Sequence, residues 1–252
     1  MGTFKARGIV LKENIINDKD KVLIVLLKDY GKFSVWAKNS RNSKSKLISG
    51  TSIFSYSDFI IFDNGKNLSL NQVDLIENFY SITEDLAPLA YGTYFLELID
   101  KSVQEATPVN DIMLLLLKSL LILSKSKTIP SRLIAKIFEI KFLQLNGYMP
   151  IVNKCSHCSK NIEKEHNLFF GIMGTICENC KDKETKIIKI NSSVIYTLNY
   201  ILSVDIDNLY KFNISDELLN LISRISRKLL DEHLYIKLKS KEFIDEIEVL
   251  DN

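Results

Sequence analysis

All four cysteines of this 252-residue chain fall in two short knuckles, Cys155-Ser156-His157-Cys158 and Cys177-Glu178-Asn179-Cys180, separated by 18 residues. No other feature constrains the fold as strongly. A two-residue spacer lets both thiolates of a knuckle reach one ion, and two such knuckles at this separation have the spacing of a zinc ribbon. Four thiolates close a tetrahedral site and leave no position for substrate, so the expected role of Zn2+ here is structural. A redox C-x-x-C pair would need a βαβ context, and none is evident. His157 and His166 lie nearby, and with four cysteines available they are expected to be bystanders. Lys154, Lys160 and Lys164 either offset the −2 formal charge of a four-thiolate zinc centre or touch nucleic acid.

The segment before this module reads as β and then α. Phe4 to Leu11, Val22 to Leu27, Phe33 to Ala37, Ile53 to Phe62 and Leu68 to Leu75 are short runs rich in Val, Ile and Phe. Turn-like segments separate them, Asn64-Gly65 being a strong hairpin signal. Five strands in about 75 residues fit a small closed barrel of the OB type, and an SH3-like barrel fits the count nearly as well. Helical periodicity begins after Tyr80. Thr83-Glu84-Asp85 and Asn110-Asp111 predict two helix starts, and Pro130 a third. The third helix is expected to stop at Leu145, before Asn146-Gly147. Ile112 to Leu123 is apolar on most faces and therefore predicted to be central in a helical core. Beyond the cysteines, Ser192 to Leu202 and a longer helix capped by Ser215 are predicted.

The fold class expected is thus multidomain α+β, with an N-terminal OB-fold β-barrel at 1–80, an α-helical domain at 81–150 and 188–252, and an embedded four-cysteine zinc ribbon at 151–187. The longest apolar stretch is too short for a bilayer, which needs about 20 residues. The N-terminal residues lack the apolar core of a signal peptide. A soluble, cytoplasmic protein without a membrane partner is the expectation.

Charge is unevenly placed. The whole chain carries a net +2 from 33 Lys+Arg and 31 Asp+Glu, which excludes a wholly basic nucleic-acid binder. Residues 1–80 hold 12 basic and 8 acidic side chains, whereas residues 191–252 hold 7 and 11. No carboxylate stands between Asp29 and Asp58, an interval with Lys32, Lys38, Arg41, Lys44 and Lys46. A polar loop with a cation every two or three residues can follow a phosphate backbone without reading bases. Phe33 and Trp36 precede it. Aromatics on such a barrel can stack on unpaired bases, although burial habits favour the barrel core for Trp36.

In order along the chain, several motifs resemble the bacterial recombination mediator family RecO. They are Gly8-Ile9-Val10-Leu11, Asp18-Lys19-Asp20-Lys21, Tyr30-Gly31-Lys32, Ala37-Lys38-Asn39-Ser40-Arg41 with Lys44-Ser45-Lys46, Leu145-Asn146-Gly147-Tyr148-Met149-Pro150 leading into the first knuckle, and His233-Leu234 followed by Leu238-Lys239-Ser240-Lys241. The resemblance implies an OB-fold that binds single- and double-stranded DNA, strand annealing, and loading of RecA with RecR onto DNA coated by single-strand-binding protein (SSB). It implies no catalytic residues. It also implies, in some members, capture of the acidic SSB tail, for which Arg132, Lys136 and Lys141 are the candidate cations. Asn39 stands where Gly is usual, tolerable for a left-handed turn. Lys241-Glu242 stands where a doubly basic pair is frequent, which leaves the contribution of Lys237, Lys239 and Lys241 open. Two other classes compete on the residues alone: a zinc-ribbon OB protein that binds RNA in transcription or translation, and a zinc enzyme acting on nucleic acid. No nucleotide-binding glycine loop or H-E-x-x-H run is present.

Overall fold

A computed structural model describes residues 2–162 and 167–250 of the chain. Their contacts form two compact units, Met1–Ser126 with Ile236–Asn252, and Lys127–Tyr235. The helices of the 81–150 segment therefore divide between the units: the first two group with the barrel, and the third groups with the cysteine module.

In the first unit, β1 (Gly2–Ile15), β2 (Lys21–Leu27), β3 (Gly31–Ala37), β4 (Ser55–Asp63) and β5 (Leu68–Asn78) close a barrel in the order β1-β2-β3-β5-β4. β1 serves two neighbours. Its first half pairs with β4 and its second half with β2, with a bulge between Val10 and Lys12. A bulge bends a strand and increases its twist, which lets one strand turn the corner of a small barrel. Closure comes from a short parallel pairing of Val35 and Trp36 with Leu68 and Ser69. Alternation directs Leu23, Val25, Leu27, Val35, Ala37, Phe59, Ile61, Leu70 and Val73 inward. Each of these buried side chains larger than alanine contributes about 1.5–3 kcal/mol. The β4–β5 hairpin forms around Asn64-Gly65 as expected. Only Gly65 has positive φ (+84°), whereas Asn64 accepts the N–H groups of Lys66 and Asn67 through its side chain.

Three helices complete this unit: α1 (Leu86–Ser102), α2 (Asn110–Lys125) and, at the far end of the chain, α6 (Lys239–Leu250). α2 buries one broad stripe, Ile112, Met113, Leu115, Leu116, Ser119, Leu120 and Leu123, rather than most of its faces, and leaves Leu114 47% exposed. The predicted hydroxyl cap of α1 does not form. Thr83 lies in a preceding 3-10 turn and donates to Tyr80 O, so the helix starts after Asp85. Asn110 does not cap α2 either, because its amide bridges to Asp29 in the β2–β3 turn. That turn approaches the chain after α1 so closely that a Cβ at Gly31 (φ +94°) would meet Thr107 O at 2.3 Å. α6 is not evident in the sequence, where charged residues dominate its pattern. It is held by Glu97 of α1, whose carboxylate accepts the N–H of Lys239 (3.2 Å) and both the N–H (2.9 Å) and hydroxyl (2.5 Å) of Ser240.

In the second unit, α3 (Ser131–Leu145) packs against α4 (Ser192–Ser203) and α5 (Asp216–His233). Pro130 occupies the position before α3. Its C-terminus closes as predicted, since Gly147 (φ +85°) donates to Gln144 O and Tyr148 to Leu143 O, the paired bonds of a Schellman motif. Ser215 caps α5 through the Leu218 N–H. The cysteine module inserts three short strands, β6 (Leu168–Phe170), β7 (Thr175–Cys177) and β8 (Ile188–Ile190), in the order β7-β6-β8.

Candidate nucleic-acid interface and metal centre

The cysteine sulfurs converge. The Sγ atoms of Cys155, Cys158, Cys177 and Cys180 all lie within 4.8 Å of one another. The first knuckle is shaped by a turn in which Ser159 N–H donates to Cys155 O and Cys155 N–H to Lys160 O, with Ser159 left-handed at φ 59°. The second pair comes from the end of β7 and the 3-10 turn after it. Cys158 Sγ and Cys177 Sγ are 3.7 Å apart. Sulfurs about 2.3 Å from a common tetrahedral zinc would be separated by about 3.8 Å. The donor set thus fits zinc in number, chemistry and spacing. Burial opposes ionisation of Cys155, but the N–H groups of Cys177, Cys158 and His157 outweigh it and bring this thiol down to about 6. Burial pushes Cys177 up and Cys180 up to about 12. The Cys155 thiolate is therefore favoured before a cation enters, whereas Cys177 and Cys180 need a cation to ionise.

His157 stands outside this cluster, as expected. Its Nε2 is 3.0 Å from Glu184 Oε1, and the other Glu184 oxygen accepts the Ile172 N–H. Lys154 and Lys160 are exposed beside the first knuckle. His166 and Lys164 lie outside the described residues.

On the barrel, the basic loop leaves β3 at Ala37 and displays Lys38, Arg41, Lys44 and Lys46 to solvent. Its root is anchored. Asp20 Oδ1 accepts the Asn39 N–H at 2.8 Å, while Asn17 Nδ2 donates to Asp20 Oδ2 at 3.1 Å. The Asn39 N–H first, and then Asn17, hold the Asp20 carboxyl below its usual range. Arg41 donates its own N–H to Lys19 O and its guanidinium to Asn17 O. Asn39 takes the left-handed φ of 57° expected for a site where Gly is usual. The segments 17–20 and 37–41, separate in sequence, are thus one structural feature. The role of Asp20 in positioning the loop is not legible in the sequence, because Asn39 lies 19 residues away.

Two expectations for this surface are corrected. Lys32 does not belong to it. Its side chain is 12% exposed, and its ammonium reaches Asp100 on α1, donating to the backbone carbonyl with the carboxylate 3.5 Å away. The last carbonyls of a helix lack intrahelical partners and attract cations, which explains where this lysine goes. Trp36, in turn, is not core. It is 40% exposed between inward-facing Val35 and Ala37, paired with Val22 and Ser69. Phe33 is the aromatic that packs on the core.

In the second unit the three candidate cations of α3 do not form one exposed set. Lys141 is 7% exposed, and its Nζ lies 3.0–3.3 Å from the carbonyls of Ile201, Leu202 and Val204, where α4 ends. Burial lowers its pKa, and Asp205 partly opposes this. A buried ammonium with three acceptors is not available to a peptide, so Lys141 leaves the set. Lys136 pairs with buried Glu139 at 2.9 Å, and Arg132 donates to Asn220 Oδ1 at 2.8 Å.

Comparison with known proteins gives two family matches. Residues 1–79 match the family described as recombination protein O N terminal, and residues 83–242 match recombination protein O C terminal. The DNA repair protein RecO of Acetivibrio thermocellus is 31% identical over 250 residues, covering 98% of this chain and 99% of that protein. The DNA repair protein RecO of Alkaliphilus metalliredigens is 30% identical over 230 residues, 91% and 93% of the two chains. That of Thermoanaerobacter sp. is 30% identical over 250 residues, 98% and 99% of the two chains.

Proposed function

The chain belongs to the RecO family, and from that premise we propose that it is a recombination mediator in DNA repair. In this reading it binds single- and double-stranded DNA, anneals complementary strands and, with RecR, helps RecA onto SSB-coated strands. The observation that carries it is the anchored basic loop on a closed five-stranded barrel. The strand order, with β1 shared between β2 and β4 and a parallel β3–β5 contact, supports an OB-fold over an SH3-like barrel.

Lys38, Arg41, Lys44 and Lys46 contact phosphates. Trp36, on the outer face just before them, offers an unpaired base a ring to stack on. The contacts follow the backbone and carry no sequence information, which suits a protein that acts wherever a strand is exposed. Annealing needs two strands brought together on a surface that screens their repulsion, and no nucleotide hydrolysis or catalytic residue. Zn2+, held by Cys155, Cys158, Cys177 and Cys180, would supply the cross-link that fixes the ribbon. The SSB tail, acidic with an apolar end, is assigned to the α3 face with Arg132, since Lys136 is 13% exposed and paired with Glu139. A cytoplasmic location on the bacterial nucleoid follows from the same reading.

Each neutralised phosphate adds about 0.7–0.9 to the dependence of log affinity on log salt. Changing Lys44 and Lys46 to Ala together is therefore expected to lower the slope by about 1.4 for single-stranded DNA and about 1.8 for duplex. An unchanged slope removes the loop from the interface. Equal affinity for matched RNA would favour the transcription or translation reading. For the tail, titration of an acidic Phe-terminated peptide into Arg132→Glu is expected to show weakened binding, and parental affinity would exclude that arginine.

A further inference from the structure

The β2–β3 hairpin has two ends. The basic loop leaves one of them. At the other, the barrel carries a cleft of about 360 Å³ lined by Lys5, Arg7, Lys28, Asp29, Tyr30 and Asp58. Lys5 and Arg7 are two residues apart on β1 and so share a face. Asp58 of β4 lies opposite Arg7 and accepts from both, at 2.9 Å from Arg7 Nε and 3.0 Å from Lys5 Nζ. One carboxylate thus holds two cations side by side, and the bond from Arg7 uses only one of the five N–H donors of a guanidinium. Lys28 lines the same cleft, and its backbone N–H donates to Arg7 O at 2.7 Å. Asp29 is engaged by the Asn110 amide. The Tyr30 ring is 41% exposed and is backed by Phe4 at 5.0 Å between centroids. A braced aromatic ring beside three cations matches a nucleotide of an unpaired strand, with the base on the ring and the phosphate on the cations.

We propose that this cleft is a second single-strand DNA site, separate from the 38–46 loop. β3 spans seven residues between the two, so they are roughly 20 Å apart. At that distance one chain holds a strand at each end of the hairpin, and annealing begins with both complements on the same barrel. The inference rests on the DNA-binding reading above.

The test uses an oligothymidylate carrying 5-iododeoxyuridine, with two independent readouts. Trp36, the single tryptophan, reports the loop by fluorescence quenching, and photo-crosslinking to Tyr30 reports the cleft. The full chain is expected to show both. Crosslinking at Tyr30 is expected to persist when Lys44 and Lys46 are changed to Ala. Lys28→Glu is expected to cut the crosslink and the annealing rate at least fivefold while Trp36 quenching stays at the parental level, and Lys28→Gln to do so more weakly. Normal quenching without any Tyr30 crosslink overturns the second site and leaves the loop intact. Loss of the crosslink together with the loop cations means one continuous site and also overturns it. Absence of both signals overturns the DNA-binding reading itself.

Discussion

In the barrel, five strands of 7 to 14 residues close on themselves around eleven buried apolar side chains. In the cysteine module, three strands of three residues each surround four thiols. The barrel is held by burial distributed over those side chains and by continuous strand ladders. The module's strands make few pairings, although Phe170 and Ile176 are fully buried. What sets the module apart is four thiols that converge with the number and spacing of a zinc site. Burial distributed over many residues holds the barrel, whereas the proposed coordination would concentrate the module's stabilisation in four.

The largest expected effect breaks the comparison at its metal side. Cys177→Ser, or a strong chelator, should abolish stoichiometric zinc, removing binding free energy on the order of 10 kcal/mol. Amide exchange should then rise steeply across 151–190 while the barrel strands keep their protection. A module equally protected without metal would show that its own packing suffices. The reciprocal change is Ile61→Ala in the barrel core, expected to cost about 2–5 kcal/mol. Denaturant unfolding and metal analysis should show lower barrel stability at unchanged zinc content.

Lys32→Met separates a structural cation from the interface. It leaves the Asp100 acceptors without their partner and is expected to cost about 1–3 kcal/mol. The salt slope for DNA should stay at the parental value, unlike in the Lys44 and Lys46 variant. A lowered slope would return Lys32 to the DNA surface. The smallest effect concerns α6. Burial would raise the Glu97 pKa, but the Ser240 hydroxyl, the N–H groups of Ser240 and Lys239, and Lys101 outweigh it and hold it below the usual carboxylate range. A folded pKa below the unfolded one stabilises above the unfolded value and loses that contribution as pH falls through the folded value. Protection of the amides at 239–244 should therefore weaken on acidification, and Glu97→Gln should remove most of that pH dependence.

Local signals made much of this legible. Alternation placed the five strands, the 2-18-2 spacing anticipated that the four thiols converge, and Asn146-Gly147 placed the end of α3. The two misplaced cations share one cause. Lys32 and Lys141 read as surface cations because lysine usually is one, yet each lies against a helix C-terminus some 60 to 70 residues away in sequence. Trp36 reads as core because tryptophan usually is, whereas with Val35 and Ala37 facing inward the alternation of β3 turns it outward.

The sequence by itself determined the strands, the helix stops and the four thiols, because each depends on neighbours within a few residues. Only the tertiary structure decided which cations face solvent, how residues 17–20 brace the basic loop, and that the C-terminal helix returns to the barrel unit. Those outcomes depend on partners brought near by folding, which no local pattern encodes.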